Sequence, residues 1–238
     1  MKYKTSVSIV VLAYNEEENI QKAITEIWNY LHDNFEKYEI ILIDDGSKDK
    51  TAQLADTLAK QYSELKVYHN ERNLGFGASE KKGFSFAQNE LVSLYPADLQ
   101  FDIKELWKLV ELAEKGADVV ISYRIKRRDP ILRTINSKMY NLTASILFFI
   151  TWYGDINSIK LFKNSFLRSI QITSNSAFVN TEIIIKANKK KCVIKEVGIS
   201  HYPRIAGKQT GNNFKVIKRQ VGDLFSYWFK WITGKVQL

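Results

Sequence analysis

The chain has 238 residues, of which 45% are hydrophobic and 26% charged. That balance supports a sizeable globular core and excludes disordered, collagen-like and low-complexity chains. A net charge of +9 calls for an anionic neighbour, and a single cysteine, Cys192, excludes a disulfide framework or a thiolate zinc site.

Val7–Ala13 (VSIVVLA) is a continuous β-branched run, as expected of a strand buried on both faces. Asn15 then reads as the cap of a helix opening on three glutamates, with Ile20, Ile24, Ile27 and Leu31 at helical spacing. Glu39–Ile43 is a second strand, ending in Asp44-Asp45-Gly46-Ser47, and Thr51–Tyr62 is a helix. Leu65–His69 is a third strand, followed by the loop Asn73-Leu74-Gly75-Phe76-Gly77 and a helix over Ala78–Asn89. Leu91–Tyr95 is a fourth strand, Ile103–Lys115 a helix and Ala117–Ser122 a fifth strand. Beyond Arg124 the alternation weakens. A basic loop at 126–130 precedes a helix over Leu132–Trp152, a turn at Asp155–Ser158, a helix over Ile183–Lys191 and a strand over Cys192–Ser200.

Strands alternating with helices make βαβ units, hence an α/β fold with a mostly parallel central sheet and helices on both faces. No repeat or linker interrupts the chain, so 1–238 reads as a single domain. Residues 1–124 form one half, 125–213 a second, and 214–238 a basic aromatic C-terminal segment. Charge is unevenly spread. Residues 186–238 carry 12 Lys+Arg against Glu196 and Asp223, so that segment is +10 and the remainder −1.

Ligands on such sheets bind beyond the carboxyl ends of the strands. Those ends carry Ala13-Tyr14-Asn15-Glu16, Asp44-Asp45, Ala97-Asp98 and Arg124. Neither a Gly-x-Gly-x-x-Gly turn after the first strand nor a Walker loop is present, which argues against dinucleotide and P-loop chemistry. Two adjacent carboxylates at Asp44 and Asp45 repel one another and call for a ligand with donors, such as a base or ribose. Asp98 comes too early to cap the helix near Ile103, a job left to Asp102, so it is a site candidate, with Gln100 beside it for a hard metal ion. Arg124 suits phosphate. The acid-rich strand ends argue against nucleic acid as the partner.

In this order and spacing the motifs resemble the family-two glycosyltransferases of the GT-A fold. The nearest group is the polyprenyl-phosphate sugar synthases typified by dolichyl-phosphate mannose synthase. Ser8–Ile20 is similar to the family's opening strand and nucleotide loop, and Asp44–Thr51 to its second motif. Ala97-Asp98-Leu99-Gln100 resembles the end of its metal motif, and Asp155–Ser158 with Lys160 a later acceptor-side motif. The resemblance implies nucleotide contacts from Ala13, Tyr14, Asn15, Glu16, Asp44, Asp45, Ala97 and Asp98. It implies Mg²⁺ or Mn²⁺ at Asp98 and Gln100, and phosphate contacts from Arg124, Arg133, Lys160 and Arg204.

The implied reaction is inverting transfer of a sugar from a nucleotide diphosphate to a polyprenyl phosphate. Asp98 and Arg124 would serve the leaving diphosphate. A glycan hydroxyl acceptor would instead need a base, for which Glu182 and Asp155 are the candidates. Pro96 stands where the first metal-motif aspartate is expected, so a weakly active or inactive nucleotide-sugar-binding protein is a third reading. The lone cysteine and the absence of a targeting signal lead us to expect a cytoplasmic chain. The mixture of cations and aromatics over Phe214–Ile232 would let it lie peripherally on the membrane. A homo-oligomer is compatible with the sequence.

Overall fold

The structure, a computed structural model, describes residues 2–125, 131–151, 153–204 and 214–236, except for the side chains of 131–133 and 214–217. Strand β1 (Val7–Ala13) lies inside the sheet, with every residue but Leu12 buried. Strands β2 (Tyr38–Asp44) and β4 (Leu91–Pro96) flank it, both parallel to it, and β3 (Leu65–His69) extends the sheet beyond β2. Strand β5 (Val119–Arg124) pairs in parallel with β7 (Ile194–Ile199). The short strand β6 (Lys160–Lys163) runs antiparallel between β4 and β5. The seven strands lie in the order β3-β2-β1-β4-β6-β5-β7.

Alternate strand residues face opposite sides, and each side has its own helical cover. Val7, Ile9, Val11, Ile40 and Leu42 pack under α1 (Ile20–Asn34), α2 (Thr51–Gln61) and α4 (Leu106–Glu114), the last entered through a 3₁₀ turn at Ile103–Glu105. Val10, Ile41, Ile43, Val119 and Ile121 face α3 (Phe76–Phe86), α5 (Ile131–Phe148), α7 (Val179–Lys189) and α8 (Phe214–Ile232). A five-residue helix α6 (Asn164–Arg168) follows β6. Connections from β1 and β4 leave in opposite directions, which opens a crevice above their carboxyl ends.

The sequence expectations hold for β1 and β3 residue for residue. Three differences have identifiable physical causes. Helix α1 begins at Ile20, after Asn19, rather than behind Asn15. Asn15 takes φ +55°, a left-handed conformation that asparagine tolerates, and turns the chain into a loop. Helix α5 stops at Phe148 rather than near residue 152, because Phe149 also takes positive φ, +53°. Strand β6 was not anticipated. Four residues are too few to display a period of two, and its pairing partners are distant in sequence.

Helices α5 and α8 cross on the second face. Phe148 meets the rings of Tyr227 and Trp231 at 6.0 and 5.8 Å, and Phe178, just before α7, meets Tyr227 at 5.1 Å. Leu224 and Tyr227 are buried there, whereas Val221, Phe225, Phe229 and Ile232 point outward. On α5, Ile135, Met139, Leu142 and Ile146 form a second exposed apolar stripe ending at Phe149, which is 95% exposed. Among the described residues, no helix is long and apolar enough to cross a membrane.

Candidate active site

The loops after β1 and β2 interlock. The Asn15 amide donates to Ser47 Oγ at 2.9 Å, and Asn15 Oδ1 accepts from the Lys48 amide at 2.8 Å. The Glu16 amide donates to Thr51 Oγ1 at 2.8 Å, and Glu17 Oε2 accepts from the Lys50 amide at 3.0 Å. Side chains therefore satisfy backbone groups that a loop would otherwise leave to water, and the two segments form one rim.

The adjacent carboxylates find their donors inside the protein. Asp44 accepts from the Ser47 amide at 3.1 Å and pairs with His69 Nδ1 at 2.9 Å, and His69 Nε2 lies 3.1 Å from Asp56. The Asp44 bond raises the His69 pKa, opposed by burial and reinforced by Asp56. Asp45 accepts three bonds at 2.9 Å, from Asn70 Nδ2 and from the amides of Leu74 and Gly75. Gly75 sits at φ +90°, which glycine adopts without strain. A ligand is thus not required to separate the two charges, contrary to the sequence argument.

A cavity of about 470 Å³ opens over these strand ends. It brings together six of the expected nucleotide residues: Ala13, Tyr14, Glu16, Asp45, Ala97 and Asp98. Asn15 and Asp44 stand behind this wall, holding the loops. The far wall is the 175–177 segment, which packs so closely on Gly77 that any Cβ there would strike the Ser176 backbone. Arg219 of α8 also lines the cavity.

Arg204 spans the cavity floor. Its Nη2 pairs with Glu16, and its Nη1 lies 3.9 Å from Asp98 Oδ2. Asp98 Oδ1 accepts from the Gln100 amide at 3.1 Å, across a turn made by Leu99 at φ +58°. Burial pushes the Asp98 carboxyl up, opposed by the Gln100 amide and by Arg204. Burial likewise raises Glu16, opposed by Asn19 and Arg204.

A second, inner cavity of about 210 Å³ continues past Asp98, sharing Phe76, Pro96 and Arg204 with the first. Gln100, Arg124 and Lys160 line it. Arg124 Nε lies 3.3 Å from Asp155 Oδ2, and its guanidinium stacks 5.7 Å over Phe101. Lys160 Nζ donates to Ser158 O at 2.8 Å and to Asn180 Oδ1 at 2.5 Å. Glu80, which the sequence reading missed, also lines this cavity. Its buried position on α3, three residues from Gly77 and three from Gly83, was a legible signal: a charge on a glycine-lined helix face. Burial raises Glu80 and lowers Lys160, and each opposes the shift of the other.

Two expected residues stand elsewhere. Glu182 is buried in α7, away from both cavities, where it accepts from Thr173 N, Thr173 Oγ1 and Ser174 N at 2.8–2.9 Å and pairs with Lys186 at 3.2 Å. Asp155 faces Arg124 from behind rather than lining the cavity. Arg133 lies in α5, but its side chain is outside the described residues.

Among the described residues, no group of three His, Cys, Asp or Glu could hold a metal ion unaided. A single carboxylate, Asp98, stands where the two cavities meet. That donor set fits Mg²⁺ or Mn²⁺ in one form, a cation completed by water and by the oxygens of a bound diphosphate.

A crevice with one wall of carboxylates and another of cations, at the switch point of a mostly parallel sheet, defines the class. The fold is the GT-A nucleotide-diphospho-sugar transferase fold. It matches a crystal structure of glucosyl-3-phosphoglycerate synthase from Mycobacterium tuberculosis in complex with Mn²⁺, uridine-diphosphate and glucosyl-3-phosphoglycerate. The TM-score is 0.71 at 18% identity, over 94% of this chain and 80% of that one. The sequence model described as Glycosyl transferase family 2 matches residues 8–179, and the chain belongs to that family. It is 37% identical over 139 residues to the undecaprenyl-phosphate 4-deoxy-4-formamido-L-arabinose transferase of Pseudomonas fluorescens (strain SBW25), covering 58% of this chain and 41% of that protein. The protein of the same name from Aeromonas hydrophila subsp. hydrophila is 38% identical over 136 residues, covering 57% and 42%. The match thus spans about two fifths of the length of these relatives.

Proposed function

We propose that the chain transfers a sugar, with inversion, from a nucleotide diphosphate to a polyprenyl phosphate at a membrane surface. One observation carries this reading: the acid-lined outer cavity is continuous, through Asp98 and Arg204, with an inner cavity bearing Arg124 and Lys160. The outer cavity suits the nucleoside, the junction its diphosphate and the inner cavity the sugar, with Arg124 left to draw an anionic acceptor to the far side of the ring. An acceptor phosphate oxygen attacks the anomeric carbon as the bond to the diphosphate breaks, and negative charge grows on the leaving group. Arg204 and Arg124, which both line the inner cavity, would stabilise that charge as it develops. Asp98, with Gln100 on the same turn, would hold Mg²⁺ or Mn²⁺, which when bound would add Lewis-acid stabilisation of the leaving diphosphate.

A phosphate acceptor is already ionised and needs no general base. A sugar hydroxyl would need one, and both sequence candidates are engaged elsewhere, Glu182 by Thr173, Ser174 and Lys186, and Asp155 by Arg124. This supports the lipid-phosphate reading over transfer to glycans. The names of the curated relatives agree with it.

The outward stripes of α5 and α8 support contact with the bilayer. Met139 and Ile146 are each 62% exposed, and Phe225 and Phe229 stand 48% and 60% exposed beside Lys218, Arg219 and Lys230. Apolar groups of this kind enter the headgroup boundary, and each cation near an anionic surface adds roughly 1 kcal/mol. Arg219 joins this surface to the outer cavity.

The test is a matrix of nucleotide sugars against undecaprenyl phosphate, dolichyl phosphate and oligosaccharides, with and without Mg²⁺ or Mn²⁺. Metal-dependent transfer to a lipid phosphate is expected. Transfer only to oligosaccharides, or donor binding without turnover, would replace this reading.

A further inference from the structure

The inner cavity holds a carboxylate that neither the fold nor the proposed reaction accounts for. Glu80 is 2% exposed, on a helix that also buries Gly77, Ser79, Gly83 and Phe84. Two other buried carboxylates are well supplied with donors. Asp45 accepts three hydrogen bonds, and Glu182 accepts three and pairs with Lys186. Among the described residues Glu80 accepts one, a long one, from Asn180 Nδ2 to Oε2 at 3.3 Å. A carboxylate has about four acceptor sites, so Glu80 keeps acceptor capacity toward the cavity it lines. Burying a charge with so few donors is costly, and a fold keeps such a group most readily where a ligand completes it.

The neighbours of Glu80 fix its role. The Asn180 amide is oriented by Lys160, whose ammonium bonds its Oδ1 at 2.5 Å, so its Nδ2 is turned toward Glu80. Lys160 is held in turn by Ser158 O. A carboxyl group, an amide and a donor-only ammonium thus stand in a row along one wall. Adjacent hydroxyls of a sugar ring, each able to donate and accept, match such a row. The cavity, at about 210 Å³, is smaller than the roughly 300–1,000 Å³ of sites for drug-sized ligands, and suits one monosaccharide. It begins where the diphosphate would end, beside Asp98, with the Phe76 ring at the junction.

We propose that Glu80 selects the donor by its sugar: it accepts a hydrogen bond from a hydroxyl or amino group on the single ring seated in the inner cavity. Lys160 and Asn180 hold the neighbouring oxygens, and Glu80 takes no part in the bond exchange at the anomeric carbon. The inference rests on the nucleotide-sugar reading above and adds the residue that distinguishes one sugar from another. A site built around a substrate's hydrogen-bond donor rejects analogues that lack it, because the buried acceptor is then left unpaired.

The experiment compares calorimetric affinities of wild type, Glu80→Gln and Glu80→Ala. The probes are UDP-glucose, UDP-galactose, UDP-xylose, UDP-N-acetylglucosamine and GDP-mannose, each beside its own bare nucleotide diphosphate, with Mg²⁺ present. Gln keeps the size of Glu and an oxygen for Asn180, so that variant is expected to fold as wild type, checked by its melting temperature. Wild type is expected to bind at least one nucleotide sugar more tightly than the matching diphosphate. Both variants are expected to lose about tenfold of that preference while binding the bare diphosphates unchanged. Three results would overturn the inference. In the first, the variants keep the preference. In the second, the bare diphosphates weaken equally. In the third, wild type shows no preference at all, although it transfers sugar. Loss of turnover with sugar preference intact would make Glu80 a base and overturn it as well. Failure of every nucleotide and nucleotide sugar to bind wild type would remove the donor reading itself, and this inference with it.

Discussion

Glu182 and Asp98 separate two kinds of buried carboxylate. Glu182 and Lys186 are both fully buried, and Glu182 ties the 173–174 backbone to α7. Removing one member of a buried pair leaves the other uncompensated, so Glu182→Ala should cost on the order of 3–5 kcal/mol in urea unfolding. Glu182→Gln, once folded, should turn over normally; a stable variant without activity would return Glu182 to the chemistry. Asp98→Ala should leave the melting temperature nearly unchanged and abolish metal-dependent transfer, since among the described residues Asp98 accepts one hydrogen bond, from the Gln100 amide, and its cationic neighbours Arg204, at 3.9 Å, and Arg124 have other partners. Unchanged turnover would remove it from the mechanism. Glu16, Asp45 and Asp98 were legible in sequence because they follow strands. The partners that set their state were not, since Asn70 reaches Asp45 from 25 residues away and Arg204 reaches Glu16 from 188.

At the scale of elements, the parallel strands were legible because each is a single apolar run with a polar end. Strand β6 and the inner cavity were not, because both arise from antiparallel pairing between distant segments. The rim after β2 carries a pH dependence of its own. His69 lies between Asp44 and Asp56, with the Lys82 ammonium on its carbonyl. Its pKa is raised by the Asp44 bond, so its contribution to stability is complete below the ordinary histidine value and is lost as pH rises through the raised one. Melting temperature should therefore fall from neutral to mildly alkaline pH in wild type, and that part of the slope should vanish in His69→Gln. An identical slope in the variant would assign the dependence to another group. For α8, Phe225→Ser with Phe229→Ser should reduce flotation with anionic vesicles and leave the fold intact, because both rings face outward while Leu224 and Tyr227 hold the helix down. Undiminished flotation would place the contact elsewhere.

Over the whole molecule, the +9 charge resolves into a near-neutral body and a strongly cationic last quarter. The body carries the acid-lined crevice. The last quarter contributes β7, Arg204 on the cavity floor, and α8 with its exposed apolar edge. Arg219 of α8 links that exposed edge to the outer cavity. The most direct test supplies the purified chain with nucleotide sugars, Mg²⁺ and undecaprenyl phosphate in anionic vesicles, and follows the lipid by mass spectrometry. The account predicts a lipid phosphate heavier by one sugar residue, formed with release of the nucleoside diphosphate and lost in Asp98→Ala. Release of nucleoside diphosphate with no sugar on the lipid, or transfer confined to oligosaccharides, would contradict it.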